Sequence, residues 1–170
     1  MDRVGSDYFR VVDMIYSRLK ANPVIMQLPY GKEENFKGVI DILEERLLTF
    51  SEESLGANVI VSEVPPEYHA DVKKYRQQLI DTVAEFDDEL LSLYVDNPEN
   101  VSTNLIKRAI RKGTIQMKIV PVFMGSAFRN KGVQPLLDAV VDYLPSPLDI
   151  PPVRGVDESG KEIIRKASPK

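Results

Sequence analysis

The chain contains no cysteine and only one histidine, His69. Without cysteine there are no disulfides, thiolate metal sites or cysteine nucleophiles, which fits a reducing compartment such as the cytosol. His69 stands beside Ala70 and Asp71 in a charged stretch with no evident partner, and it reads as a plain surface residue. The patterns H-E-x-x-H, C-x-x-C and G-x-S-x-G are absent, and so is the phosphate-cradling G-x-x-x-x-G-K-[ST]. No apolar run reaches the roughly 18 residues of a helical membrane span. The first residues, Met1-Asp2-Arg3-Val4-Gly5, lack the apolar segment of a signal peptide. A net charge of −4 and a pI near 5.2 exclude a broad basic surface for nucleic acid, though not a small local patch.

What remains is an ordinary globular composition. The 170 residues are 43% apolar, enough for a real core in one or two small domains. Tyr8, Val11, Val12, Ile15 and Leu19 recur at helical spacing, which predicts a helix over 7–20 with that stripe buried. Asn22-Pro23 ends it. Apolar runs at 24–28, 36–43, 46–50 and 59–64 predict a small, mostly antiparallel sheet. Pro29-Tyr30-Gly31 makes a turn, and the polar stretch 52–58 makes a hairpin loop. Pro65-Pro66 opens the longest helix, 66–85. Its apolar face is Tyr68, Val72, Tyr75, Leu79, Val83 and Phe86, and its charged face holds Lys73, Lys74, Arg76, Gln77 and Asp81. A shorter acidic helix covers 87–95 and stops at Asn97-Pro98. Ser102 caps a helix over 103–112, with Ile106, Ala109 and Ile110 inward and Gly113 as its C-terminal glycine. The paired carboxylates Glu33-Glu34, Glu44-Glu45 and Asp87-Asp88-Glu89 point in divergent directions and read as solvated surface.

Residues 119–143 read as a strand, a short glycine-bearing loop and a helix, a common unit that by itself proves little. The apolar run 119–124 predicts a strand covered on both faces. A loop with Gly125 and Gly132 follows. The next helix places Val133, Leu136, Leu137, Val140, Val141 and Leu144 on one buried face. In α/β sheets the loop after a strand's carboxyl end is where ligands sit. After Pro145, Pro147 and Pro151-Pro152 the chain reads as a linker, and 153–170 is too thinly apolar to fold alone.

Gly125-Ser126-Ala127-Phe128-Arg129-Asn130-Lys131-Gly132-Val133-Gln134, followed by 137–147, resembles the end of the GTPase domain of translation elongation factor G. Met1-Asp2-Arg3 resembles the second half of that family's N-K-M-D guanine motif. Asn22-Pro23-Val24, 27–31 and 36–41 resemble the insert that the family carries inside its GTPase domain, the G′ subdomain. The resemblance covers roughly residues 1–152. It implies an α/β (α+β) fold: a partial P-loop-GTPase-like remnant holding an inserted α+β subdomain. The implied divisions are GTPase-domain remnants at 1–20 and 115–147, the insert at 21–114, and a linker with the start of a further domain at 148–170.

The resemblance also implies a guanine site. Asp2, with Met1 beside it, would accept from the N1–H and 2-amino groups of the base. Ser126 and Ala127 would pack beneath it, with the Ala127 amide donating to O6, and Phe128 stands where relatives often carry Lys or Leu. The cofactors implied are GTP and GDP, with Mg²⁺ in the intact parent. The phosphate loop, switch regions and Mg²⁺ ligands would all lie before Met1. No catalytic residue or metal ligand is therefore expected here, and the chain alone should neither hydrolyse GTP nor bind it usefully. The partners implied are the ribosome and its large-subunit stalk protein, met through helix 66–85, in a cytoplasmic protein that moves tRNA and mRNA or recycles ribosomes. The alternatives are a relative like peptide-chain release factor 3 or a ribosomal-protection protein, or a free-standing partner-binding module. An isolated remnant should also leave unpaired strand edges and exposed apolar surface.

Overall fold

The computed structural model describes residues 1–51, 56, 58–97 and 101–168. Asp7 opens the first helix by accepting from the Arg10 amide, and α1 runs Tyr8–Leu19 until Lys20 turns left-handed (φ 55°). Short strand β1, Pro23–Ile25, follows, and β2 is Gln27–Tyr30. The expected single strand at 24–28 is thus two strands in different sheets. Met26 is the crossing point: its amide donates to Val122 O, and its carbonyl accepts from the Ile42 amide.

A 3-10 turn at Glu33–Asn35 leads to β3, Gly38–Asp41, then β4, Arg46–Phe50, and β5, Val59–Glu63. The four strands β2-β3-β4-β5 form one fully antiparallel sheet. Within the expected hairpin loop at 52–58, Gly56 and Asn58 are described and the rest lies outside the described residues. The central strand β3 is buried on both faces and feeds two cores. Val39 packs with Tyr8, Phe36, Leu48, Val122 and Met124. Its neighbour Ile40 packs with Leu28, Leu47 and Val72.

Three helices cover the far side. Helix α2, His69–Val83, has a 3-10 turn at each end; α3 is Asp88–Asp96; α4 is Thr103–Ile115. Ser102 caps α4 through Leu105 as expected. The break expected at Pro98 lies outside the described residues. Gly113 does not end α4 but sits buried inside it. A methyl group there would come within 2.8 Å of Phe86 Cδ2 and 2.9 Å of Ile119 Cδ1. Close packing, not a left-handed cap, is what requires glycine at this position.

Strand β6, Val120–Val122, pairs parallel with β1, and no described strand lies on its other edge. Val120 is 44% exposed, so the expectation of a strand covered on both faces fails. Helix α5, Val133–Tyr143, corrects a second expectation. Ala139 and Tyr143 are its buried residues, packed into the helical core near Phe123. Leu136, Leu137, Val140, Val141 and Leu144 are exposed, Val141 at 78%. The stripe exists, but no described element covers it. On α1 likewise Tyr8 and Val12 are buried while Val11 and Leu19 are exposed. Exposed apolar surface on α5 and α1, and an edge of β6 with no strand beside it among the described residues, are both present. Last comes a largely exposed hairpin, β7 (Val153–Val156) with β8 (Glu162–Arg165). No described helix is long and apolar enough to cross a membrane.

Candidate functional site

The loop after β6 is built tightly. Ser126 and Lys131 exchange two backbone hydrogen bonds of 2.8 and 3.0 Å, and the Asn130 amide donates to Ala127 O across the tip. Asn130 takes the left-handed backbone that this turn needs (φ 50°). Gly125 and Gly132 let the loop ends approach. A methyl at Gly125 would lie 2.4 Å from Lys131 O, and one at Gly132 2.6 Å from Met124 O. The loop therefore projects as a rigid finger with Ser126 buried beneath and Ala127, Phe128 and Arg129 exposed.

Against that finger lies the N-terminal segment. Met1 N donates to Gly125 O at 2.9 Å, joining residues 124 positions apart in sequence. Asp2 follows beside the loop, its side chain 17% exposed, with Arg129 Nε 3.7 Å from its carboxylate. The Ser126 hydroxyl holds the Asp2 carboxyl below the usual carboxylate range, helped by its own backbone amide and by the Arg129 charge. Met1, Asp2 and Ser126 thus converge. Ala127 stands at the exposed edge, and among the described residues nothing accepts from its amide. Phe128 is 97% exposed and belongs to none of the three cores. The arrangement sets an anionic acceptor, Asp2, against a loop whose exposed Ala127 amide is a backbone donor.

Three residues at this site escape a sequence reading. The Gln27 side chain, 1% exposed, accepts from the Met124 amide at the loop's root. Buried Lys131 extends its ammonium to Phe36 O at 3.2 Å. Glu33 donates its amide to Met1 O at 3.0 Å and accepts from the Gly5 amide on Oε1 at 2.8 Å. Glu33-Glu34 is therefore not a simple solvated pair. The turn expected at Gly31 was the only local signal, because a methyl there would lie 2.0 Å from Asn35 O.

Other expectations also change. Asp87 is buried, its carboxylate held by Arg108 and Lys112, and Glu44 pairs with Lys107 at 2.6 Å. His69 is exposed to solvent, yet its Nε2 meets Val64 O at 2.9 Å. Arg76, expected on the open face of the long helix, donates to Leu43 O at 2.6 Å and pairs with Glu45 at 3.0 Å.

Comparison with known proteins places the chain beside translational GTPases. The family model for the elongation factor Tu GTP binding domain matches residues 1–146. Elongation factor G 2 of Desulfotalea psychrophila is 50% identical over 169 residues, which is 99% of this chain and 24% of that protein. A crystal structure of a protein from Thermus thermophilus superposes with a TM-score of 0.72 at 25% identity, over 94% of this chain and 25% of that one. The chain spans about a quarter of the length of each.

Proposed function

The chain belongs to the elongation factor Tu GTP-binding domain family, and from that premise we propose that it is the later part of the nucleotide domain of a translational GTPase of the elongation factor G kind. The observation that carries the reading is the meeting of the Met1-Asp2 segment with the Ser126-Ala127 loop across 124 positions of sequence. Asp2 supplies the acceptor for guanine N1–H and the 2-amino group; adenine offers no such pair of donors on that edge. The Ala127 amide, with no acceptor among the described residues, supplies the donor for O6. Ser126 holds the carboxylate ionised and in place. Phe128 is exposed at the tip of the same loop, beside the other four residues of the base site.

The parent acts with the ribosome in translocation or recycling. Identity of 50% along nearly the whole chain favours elongation factor G over the release-factor and ribosomal-protection alternatives, and over a free-standing module. The residues divide as remnant 1–20, insert 21–114, remnant 115–147 and linker 148–170. One refinement is that β1, at 23–25, belongs with β6 in the remnant's sheet. The bare face of α5 and the free edge of β6 are then where the rest of the nucleotide domain packs. The parent is cytoplasmic.

No group of three His, Cys, Asp or Glu side chains suited to a metal ion occurs among the described residues. In this reading the side chains that hold Mg²⁺ belong to the phosphate-binding part of the parent, and no step here runs through the ion. Phosphoryl transfer depends on a phosphate loop, a pattern this sequence does not contain, so the 170-residue chain is expected not to hydrolyse GTP. Titration of this chain with GDP and Mg²⁺ by calorimetry should give no heat at micromolar concentrations. Low-micromolar binding would contradict the reading.

A further inference from the structure

We propose that Glu33 is a positioning residue for the guanine-base site, acting as a latch from the inserted subdomain onto the segment that carries Asp2; this rests on the reading of Asp2 just given. Glu33 does not touch the base-facing groups. Its main chain and side chain instead grip both ends of the segment. The Glu33 amide donates to Met1 O, and Oε1 accepts from the Gly5 amide. Between these two bonds lies Asp2. The Ser6 hydroxyl also donates to Met1 O at 2.6 Å, so that carbonyl accepts twice.

The same turn grips the opposite wall. Glu33 O accepts from the Phe36 amide, and Phe36 O accepts from the Lys131 ammonium at the base of the finger loop. Phe36 is 1% exposed and packs in the cluster that holds Met1, Tyr8 and Met124. One short stretch, 33–36, thus fixes the distance between the acidic wall and the backbone wall. It does so at a backbone cost, because Glu33 is held at φ 53°, where non-glycine residues are uncommon. A carboxylate kept in that conformation at the edge of a site is consistent with a positioning duty.

Glycine at position 33 relieves the backbone while deleting the carboxylate, so fold and function should part. In the complete protein, E33G and E33A should weaken GDP binding about three- to tenfold, the worth of one hydrogen bond. E33Q, whose amide oxygen still accepts from Gly5, should stay within about twofold of wild type. The melting temperature of E33G should not fall below wild type. A residue that merely supported the fold would lose affinity and stability together. GDP affinity unchanged in E33G and E33A would overturn the proposal, as would E33Q binding as weakly as E33A. The latch is also read without nucleotide: the Gly5 amide should exchange faster in E33A than in wild type in the 170-residue chain, and equal exchange would equally overturn it. Should D2N bind GDP as wild type does, the base reading has failed, and that outcome is separate from the exchange at Gly5.

Discussion

Asp87 gathers four hydrogen bonds onto one carboxylate. Its oxygens accept from Arg108 at 2.7 and 2.8 Å, from Lys112 at 2.5 Å and from the Leu90 amide that it caps at 3.2 Å. The side chain is 1% exposed, and Arg108 also reaches Glu89. Arg108, ahead of Lys112 and the Leu90 amide, holds the carboxyl far below the usual range. The unfolded chain therefore binds a proton here at pH values where the native chain does not. The stabilisation is complete above about pH 4 and is lost as pH falls below it. D87N should cost about 1–3 kcal/mol at pH 7. Urea unfolding of both proteins should show that difference narrowing from about pH 4 towards about pH 2. A difference independent of pH would mean that the charge contributes nothing.

At the scale of elements, α2 is the helix to test. Its buried face, Val72, Leu79, Ile80 and Val83, ties it to the sheet and to α4. Arg76 is engaged with Leu43 O and Glu45 and is half-buried, so less of it is open to a partner than of its neighbours. Lys73 and Lys74 remain exposed, Lys74 over the Tyr75 ring, and a groove of about 820 Å³ runs beside Lys73 and Gln77. If this helix meets the stalk protein of the ribosome, K73E with K74E should weaken that binding about tenfold in a titration, as the loss of two favourable charges allows. Unchanged binding would place the contact elsewhere. The elements themselves were largely legible from periodicity, because β4 and the cap of α4 have local causes: a run of strand-forming residues and a serine side chain. Gly113 was misread because its reason is the distant Phe86 and Ile119, which no local pattern contains. The stripe of α5 was read correctly as apolar and wrongly as buried, since spacing reveals a face but not what covers it.

For the molecule as a whole, the candidate site is a long-range object. Asp2 and the loop after β6 could be found separately, each from its own short motif. Their meeting depends on α1, β1 and β6 returning the chain to its start, which the three shared cores enforce. The latch at Glu33 was invisible for the same reason, because nothing in Glu33-Glu34 announces Met1 or Gly5. The stretch 27–36 is therefore part of the candidate site's surroundings, through Gln27, Glu33 and Phe36. The central claim is that the carboxylate of Asp2 reads the guanine edge. The measurement that tests it most directly is the affinity of D2N in the complete protein for GDP and for xanthosine diphosphate. An amide at this position loses a charged acceptor for the 2-amino group and gains a donor for the xanthine C2 oxygen. GDP binding should weaken about ten- to a hundred-fold, while xanthosine diphosphate binding improves. Unaltered GDP affinity, with no gain for the xanthine nucleotide, would contradict the account.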